Sequence, residues 1–486
     1  MAFSKTPVNS TYETKRINLV TNPQQRSGAL QNKDARIVNM MPELFHSQSA
    51  EEKRFVLKSR PGLSSAYTVN TGVARGIYYW LYSGTGYVIT VVGNAIYVNG
   101  TSLSTVTTTT GEVGFTEFLN SSGVVSLVLL DGTKGYVFAN PSTAPTEITD
   151  AQFPTPHVPH PIFLDGYLFV AKASTADVYN SNLDDPSLWT AGDFATAEMY
   201  PDKLVALSKN NNYLYAIGSN SVEYLYDAAN ATGSPLSRHD SAVQQFGTPA
   251  PGTVVATENE VILVGQTGNG GYTVWTIEGF KEKEISTPAI RGVLHAEGAA
   301  LATSVAYCVR VASQKLYILT LTSRTLVYSF ETQIWTEWAS GATSATAFLG
   351  ARAADGPNGM PYVLKTGGTT VYKVDEATFT DGGTVFRCEV VTAKEDFDSI
   401  NRKTMSRLAI VGDVPDSTGV DNDVSIEWSD DDYATWSTAR TLSFNFDFPV
   451  LRQLGTFRRR AFRIRYSLPH LFRIDGLEVD INKGSQ

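Results

Sequence analysis

Carboxylates able to face one another across a pocket are the first chemistry to seek in a chain rich in turns. Asp165, Asp202 and Glu223 lie beside apolar runs, and glycoside hydrolysis needs two such groups flanking one bond. Each also fits a turn or a strand edge, and sequence spacing does not fix their separation. Ser286-Thr287 follows Glu284, but no G-x-S-x-G elbow and no suitably placed His accompanies these hydroxyls. Gly268 to Gly271 could cradle a phosphate, yet this run opens no helix and reads as a hairpin tip. His157-x-x-His160 sits among prolines without further ligands, so no metal site is predicted. No catalytic or cofactor-binding residue is expected, and the chain does not read as an enzyme.

Charge offers more. Arg452, Arg458, Arg459, Arg460, Arg463, Arg465 and Arg473 fall within 22 positions. On a strand, Arg459, Arg463 and Arg465 share one face while Phe462, Ile464 and Tyr466 share the other. The aromatic and aliphatic face goes inward, leaving a basic ladder outside. Three uses stand open for it: pairing with acids of its own domain (Asp421, Asp423, Asp430 to Asp432), a subunit or adaptor interface, or DNA contact. Ser429-Asp430-Asp431-Asp432-Tyr433-Ala434-Thr435-Trp436 has the form of an Asp-box with Tyr433 in place of the usual Gly. It is expected to be a turn held by side-chain hydrogen bonds, with Trp436 packed beneath it.

The elements that must hold these groups are β-strands. From Val158 to Ile290 one pattern repeats: an apolar strand, a tight Asn, Asp or Gly turn, then a second apolar strand ending near Gly. Such turns between short β-rich runs are the hairpin signal. Units begin near Gly76, Glu112, Val158, Pro201, Thr248, Leu301 and Ala342, and a period of roughly 40–50 residues with several strands each points to a β-propeller of about six to seven blades. After about Val374 the strands lengthen and gain flanking arginines, as in a β-sandwich. The predicted division is 1–60 (an extended N-terminal arm over 1–35, then first strands), 61–375 (propeller) and 376–486 (sandwich-like platform). Ser49 to Arg54 has capping-box form, with Glu52 three residues after Ser49, but room for only a turn or two. No longer helix is expected.

A formal charge of −9 makes the chain a poor candidate for tight, sequence-blind DNA binding, which needs phosphate-neutralising Lys and Arg. It suits a surface that DNA passes without sticking. Cys308 and Cys388 are the two cysteines, too few for a disulfide framework, so synthesis in a reducing compartment is expected. Residues 1–25 are polar and show no secretory signal. The longest apolar stretch, Val124 to Leu130, falls short of a membrane span.

The order of motifs along the chain resembles the tail nozzle, or tail hub, family of short-tailed bacteriophages, also called packaged-DNA stabilisation proteins. The motifs are Asn39-Met40-Met41-Pro42-Glu43, Arg60-Pro61-Gly62-Leu63, Ala74-Arg75-Gly76, Phe163-Leu164-Asp165-Gly166-Tyr167, Ser181-Asn182-Leu183-Asp184-Asp185 with Trp189, Ala197-Glu198 with Pro201-Asp202, Gly218 with Val222-Glu223, Ile285-Ser286-Thr287-Pro288-Ala289 and Leu454-Gly455-Thr456-Phe457-Arg458. The resemblance implies a virion protein of the tail, assembled in the host cytoplasm without membrane insertion. It implies a homo-oligomer, a hexameric ring beneath the portal and the head-to-tail adaptor, with packaged double-stranded DNA in its lumen and tail fibres or spikes docked outside. Retention of the genome would then fall to a loop at the exit, for which Gln266, Gly268, Asn269, Gly270 and Gly271 are the candidates. Two other readings are a secreted carbohydrate-active propeller and a receptor-binding tail fibre. The polar N-terminus and the want of an evident acid pair weigh against the first, and blade-like rather than elongated repeats against the second.

Overall fold

The computed structural model describes residues 12–20, 35–45, 54–267, 270–343, 347–413, 422–445 and 449–483. Much of the arm, Ser49 to Lys53, Gly268, Asn269 and Asp421 lie outside them. The chain forms two compact units. One comprises Leu63–Gln333 and Ala347–Asp375; the other comprises Met1–Gly62, Ile334–Thr346 and Glu376–Gln486.

The first unit is a succession of seven antiparallel sheets, one for each repeat. The opening sheet runs Ala74–Tyr82, Thr85–Val92, Ala95–Val98, Thr101–Thr105. Sheets starting at Gly114–Leu119, Ile162–Leu164 and Leu204–Asn210 follow the same four-strand plan. The fifth is built around Val261–Thr267 and Tyr272–Glu278, the sixth begins at Val305–Val311, and the seventh holds Arg352–Ala354, Tyr362–Leu364 and Thr370–Asp375. Chain reversal comes from pairs of left-handed residues, Asn99-Gly100 (φ 47° and 80°) and Asp165-Gly166 (49° and 85°), as two-residue hairpin turns require. The middle strands are apolar on both faces, because each sheet has a neighbour on either side: Val88 and Val92 pack toward the seventh sheet while Ile89 and Val91 pack toward the second. Shared cores join the second sheet to the third, the third to the fourth and the fourth to the fifth. Tyr317 Oη donates to Thr253 O (3.1 Å) between fifth and sixth, and Tyr307 Oη to Gly350 O (3.2 Å) between sixth and seventh. The seventh is completed by the strand Gly62–Thr68 from the start of the unit, and Val69 N donates to Thr369 O at 2.9 Å just beyond that strand. This is the propeller arrangement, in which first and last sheets also pack together.

The second unit packs two sheets over one core containing Met40, Leu57, Leu408, Val479, Val390, Phe462 and Ile464. One sheet has the order Met40–Phe45, Arg54–Ser59, Arg473–Lys483, Lys403–Asp413, Val450–Arg452, with Glu13–Ile17 on Arg473–Lys483. The other includes Trp335–Trp338, Arg36–Val38, Cys388–Val391, Ala461–Tyr466, Asp423–Ser429 and Arg440–Ser443 in that order. The first strands thus sit in the same sheets as strands more than 300 residues later.

One expectation fails. An α-helix, α1 (Pro288–Glu297), follows the fifth sheet, with Thr287 as N-cap accepting from Ile290 N and Pro288 opening the first turn. Gly292 and the β-branched Ile290 and Val293 obscure its periodicity, but the Thr-Pro start was a visible signal.

Candidate functional site

Arg463 and Arg465 project from Ala461–Tyr466, whose Phe462, Ile464 and Tyr466 are buried on the opposite face. The neighbouring strands set carboxylates beside them, Glu389 in register with Arg465 and Glu427 with Arg463. Arg463 Nε donates to Glu427 Oε2 (2.6 Å), and Arg465 reaches Glu427 Oε2 through Nη1 (2.8 Å) and Glu389 Oε2 through Nε (2.8 Å). Arg36 extends the row, 3.8 Å from Glu389 and bidentate to Glu337 at 3.0 and 2.8 Å. Alternating charges therefore cross five strands, Trp335–Trp338, Arg36–Val38, Cys388–Val391, Ala461–Tyr466 and Asp423–Ser429, a cross-strand arrangement that fixes register.

The other arginines divide. Arg460 is buried, bidentate to Asp430 at 2.7 and 2.8 Å, bonded to Leu454 O, and stacked 4.3 Å from the Phe457 ring centre. Arg473 meets Asp413 at 2.7 Å. Arg459 precedes the strand rather than sharing its face, because the strand begins at Ala461, and it reaches Asp432 at 3.1 Å. Arg452, Arg458 and Arg459 are exposed. Sequence reasoning named Asp430 and Asp432 but missed Glu389, Glu427, Arg36 and Glu337. The alternations Cys388-Glu389-Val390 and Ile426-Glu427-Trp428, each with a carboxylate between inward residues, were the available clues.

The Asp430 to Trp436 turn is held as side-chain chemistry demands. Asp431 accepts from Ser429 Oγ (2.8 Å), Thr435 N (2.9 Å) and Thr435 Oγ1 (2.5 Å). The Thr435 hydroxyl, with Thr435 N and Ser429, holds the Asp431 carboxyl at about 2. Asp432 and Tyr433 take left-handed backbone (φ 59° and 66°), and Arg463 stacks 4.2 Å from the Trp436 ring centre.

The acids considered for hydrolysis have separate tasks. Asp165 occupies a hairpin turn. Asp202 accepts from Asn220 N (2.7 Å) and Ser221 Oγ (2.9 Å), and Glu223 accepts from Tyr200 N (3.3 Å). Glu223 Oε2 is buried without a hydrogen-bond partner, and burial, with the Asp202 charge adding to it, raises this carboxyl above its usual range. The fold thus binds this proton more tightly than the unfolded chain, and its contribution to stability falls as pH rises through the raised pKa. Glu223→Gln should stabilise the protein at neutral pH by about 1 kcal/mol and change nothing near pH 4, read from thermal unfolding at both values.

Ser286 Oγ accepts from Val274 N (2.7 Å) and Glu284 binds Thr273 (2.6 Å) and Arg291 (2.8 Å). Burial lowers His157 to about 4, so its neutral ring donates from Nδ1 to Pro154 O at 3.0 Å, while His160 faces Glu112. No cluster of three metal-binding side chains occurs among the described residues, and no helix there is long and apolar enough to cross a membrane. The exit-loop candidates flank a hairpin tip: Gln266 is in register with Tyr272, and Gly270 N donates to Thr267 O (2.8 Å) with φ 77°.

Seven successive sheets and a surface of mutually paired charges define an all-β, β-propeller protein. A family model described as "Bacteriophage P22 Gp10, beta-propeller" matches residues 24–358. The chain belongs to that family, which comprises phage tail nozzle and packaged-DNA stabilisation proteins. No curated protein matches the sequence. Among solved structures the chain is similar to the N-terminal domain of Nup159 (9% identity, 70% of this chain and 98% of that one, TM-score 0.37). It is also similar to a putative 6-phosphogluconolactonase of Bacteroides fragilis (12%, 68% and 98%, 0.37) and to PorZ of Porphyromonas gingivalis (9%, 79% and 46%, 0.35).

Proposed function

We propose that this protein is a non-enzymatic building block of the tail nozzle of a short-tailed phage. Copies form a hexameric ring below the portal and the head-to-tail adaptor, continue the DNA channel, help retain the packaged genome, and give tail fibres or spikes a docking surface. The family match over residues 24–358 carries this reading. Charge supports it: a net −9 per copy repels phosphates and lets duplex DNA slide. Arg452, Arg458 and Arg459, exposed on the second unit, are the arginines assigned to the adaptor or a neighbouring copy. The hairpin carrying Gln266, Gly268, Asn269, Gly270 and Gly271 is assigned to the channel exit.

The test is the native mass of the purified protein, alone and mixed with its phage's portal–adaptor complex. A defined ring, or capture as six copies by the adaptor, is the expected result. A monomer that ignores the adaptor would overturn the reading, and hydrolysis of model glycans would then test the carbohydrate-active alternative.

A further inference from the structure

A head-to-tail ring needs two different patches on each copy, whereas a two-fold dimer presses one patch against itself. Among the described residues, Ile400 of the second unit and the Leu119, Val124 and Leu183 group of the first are exposed apolar surfaces, and their surroundings are opposite in charge. In the second unit the loop from Asp396 to Arg402 presents Ile400 with 76% of its surface exposed. The loop is pinned. Buried Lys403 donates from Nζ to Ser399 O (2.5 Å) and Asn401 O (2.7 Å), and Arg458 Nη1 donates to Ile400 O itself (2.8 Å). Phe397 is buried against Phe457, ring centres 6.1 Å apart, and Phe397 and Asp398 both hold left-handed backbone (φ 49° and 60°). Two successive strained non-glycine residues persist only where the surroundings over-determine them, and such strain gathers at binding loops. An aliphatic side chain held out rigidly loses little freedom on docking, as an interface anchor should. Lys403 lies within the fields of Lys483, Arg458 and Asp396, and Lys15 within those of Glu13 and Asp398. With exposed Arg402 the neighbourhood is net positive.

In the first unit Leu119, Val124 and Leu183 are 46%, 56% and 57% exposed. Ser121 N donates to Asp184 Oδ1 (2.7 Å), which joins the hairpin tips of the second and third sheets that carry them. Leu183 lies over Gly166, where an added Cβ would meet its Cδ1 at 2.9 Å. Asp184 and Asp193 both act on Tyr167, and Asp165 adjoins Gly166, opposed by Lys209. This patch is net negative.

We propose that the Ile400 loop of one copy seats on the Leu119, Val124 and Leu183 patch of a second copy, an inference that rests on the ring reading and names its surfaces. Mixing an Ile400→Cys protein with a Leu183→Cys protein and adding a short bis-maleimide linker tests it. Cys388 is buried and Cys308 half-buried, and burial raises both thiols; wild type carried through the same treatment is the blank for them. A heterodimer band in the mixture, with none from either protein alone, is expected. Ile400→Asp and Leu183→Asp should each weaken assembly about tenfold or more with the unfolding midpoint unchanged. A wild-type ring whose variants neither crosslink nor weaken would overturn this contact and leave the nozzle reading standing. A wild type that never assembles, even with the adaptor, would remove both.

Discussion

Replacing Arg60 with alanine is expected to cost the second unit about 3–5 kcal/mol, the range for stranding one partner of a buried ion pair. Arg60 and Asp381 have side chains 0% and 1% exposed. The guanidinium uses all five N–H groups: Nη1 and Nη2 grip Asp381 at 2.9 and 2.7 Å, the same nitrogens reach Pro61 O and Ala339 O at 3.0 Å, and Nε meets Asn39 Oδ1 at 2.9 Å. Phe386 stacks 3.9 Å from it, ring centre to guanidinium carbon. Asn39, itself left-handed at φ 56°, relays the hold by accepting from Ala339 N (2.8 Å) and donating to Arg387 O (2.7 Å). One side chain therefore ties together three stretches distant in sequence, near residues 39–60, 339 and 381–387. Alanine leaves a desolvated carboxylate with Ser340 as its remaining side-chain donor among the described residues. Lysine keeps the charge but not the planar fork, so Arg60→Lys should recover less than half of the loss. Arg60→Leu with Asp381→Leu removes both charges and should be milder than Arg60→Ala alone. Denaturant midpoints with an unchanged slope measure each. A loss below about 1 kcal/mol for Arg60→Ala would contradict the argument.

What the sequence shows and what it hides follow from range. The sheets announce themselves because their information is local: Asn99-Gly100 and Asp165-Gly166 can hardly do anything but turn, and Val125 to Leu130 can hardly avoid burial. The inward set Phe462, Ile464 and Tyr466 followed from period two alone. The partners did not. Arg465 finds Glu389 76 residues away, Arg36 finds Glu337 301 away, and Arg60 finds Asp381 321 away. Arg60-Pro61-Gly62-Leu63 was legible as a landmark, but nothing local shows that its arginine is wholly enclosed. The strand Arg36–Val38 escaped for the same reason: three residues carry no period, and only distant neighbours make them a strand. Helix α1 is the opposite case, where a local cap signal existed and the surrounding β texture outweighed it.

Glu112→Gln should lower stability by about 2–3 kcal/mol at neutral pH, and the difference from wild type should vanish toward pH 2. Glu112 stands just ahead of the second sheet. Its Oε1 accepts from Arg352 Nη1 of the seventh sheet at 2.5 Å, and its Oε2 lies 3.4 Å from His160 Nε2, just ahead of the third. A Cβ at Gly252, which leads into the fifth, would stand 3.5 Å from that same Oε2. Burial alone would raise this carboxyl, but the Arg352 guanidinium, and His160 after it, hold it at about 2. A folded pKa below the unfolded one means stabilisation that is complete above about pH 4.5 and lost as pH falls through about 2. Glutamine keeps the shape and removes the charge, so urea midpoints at pH 7, 4 and 2.5 isolate the electrostatic part. Equal midpoints for the two proteins at pH 7 would refute it. Arg352→Ala should be worse than Glu112→Gln, since it leaves the half-buried carboxylate without its guanidinium and with His160 3.4 Å away. Arg352 of the seventh sheet and the segments leading into the second, third and fifth thus converge on one carboxylate.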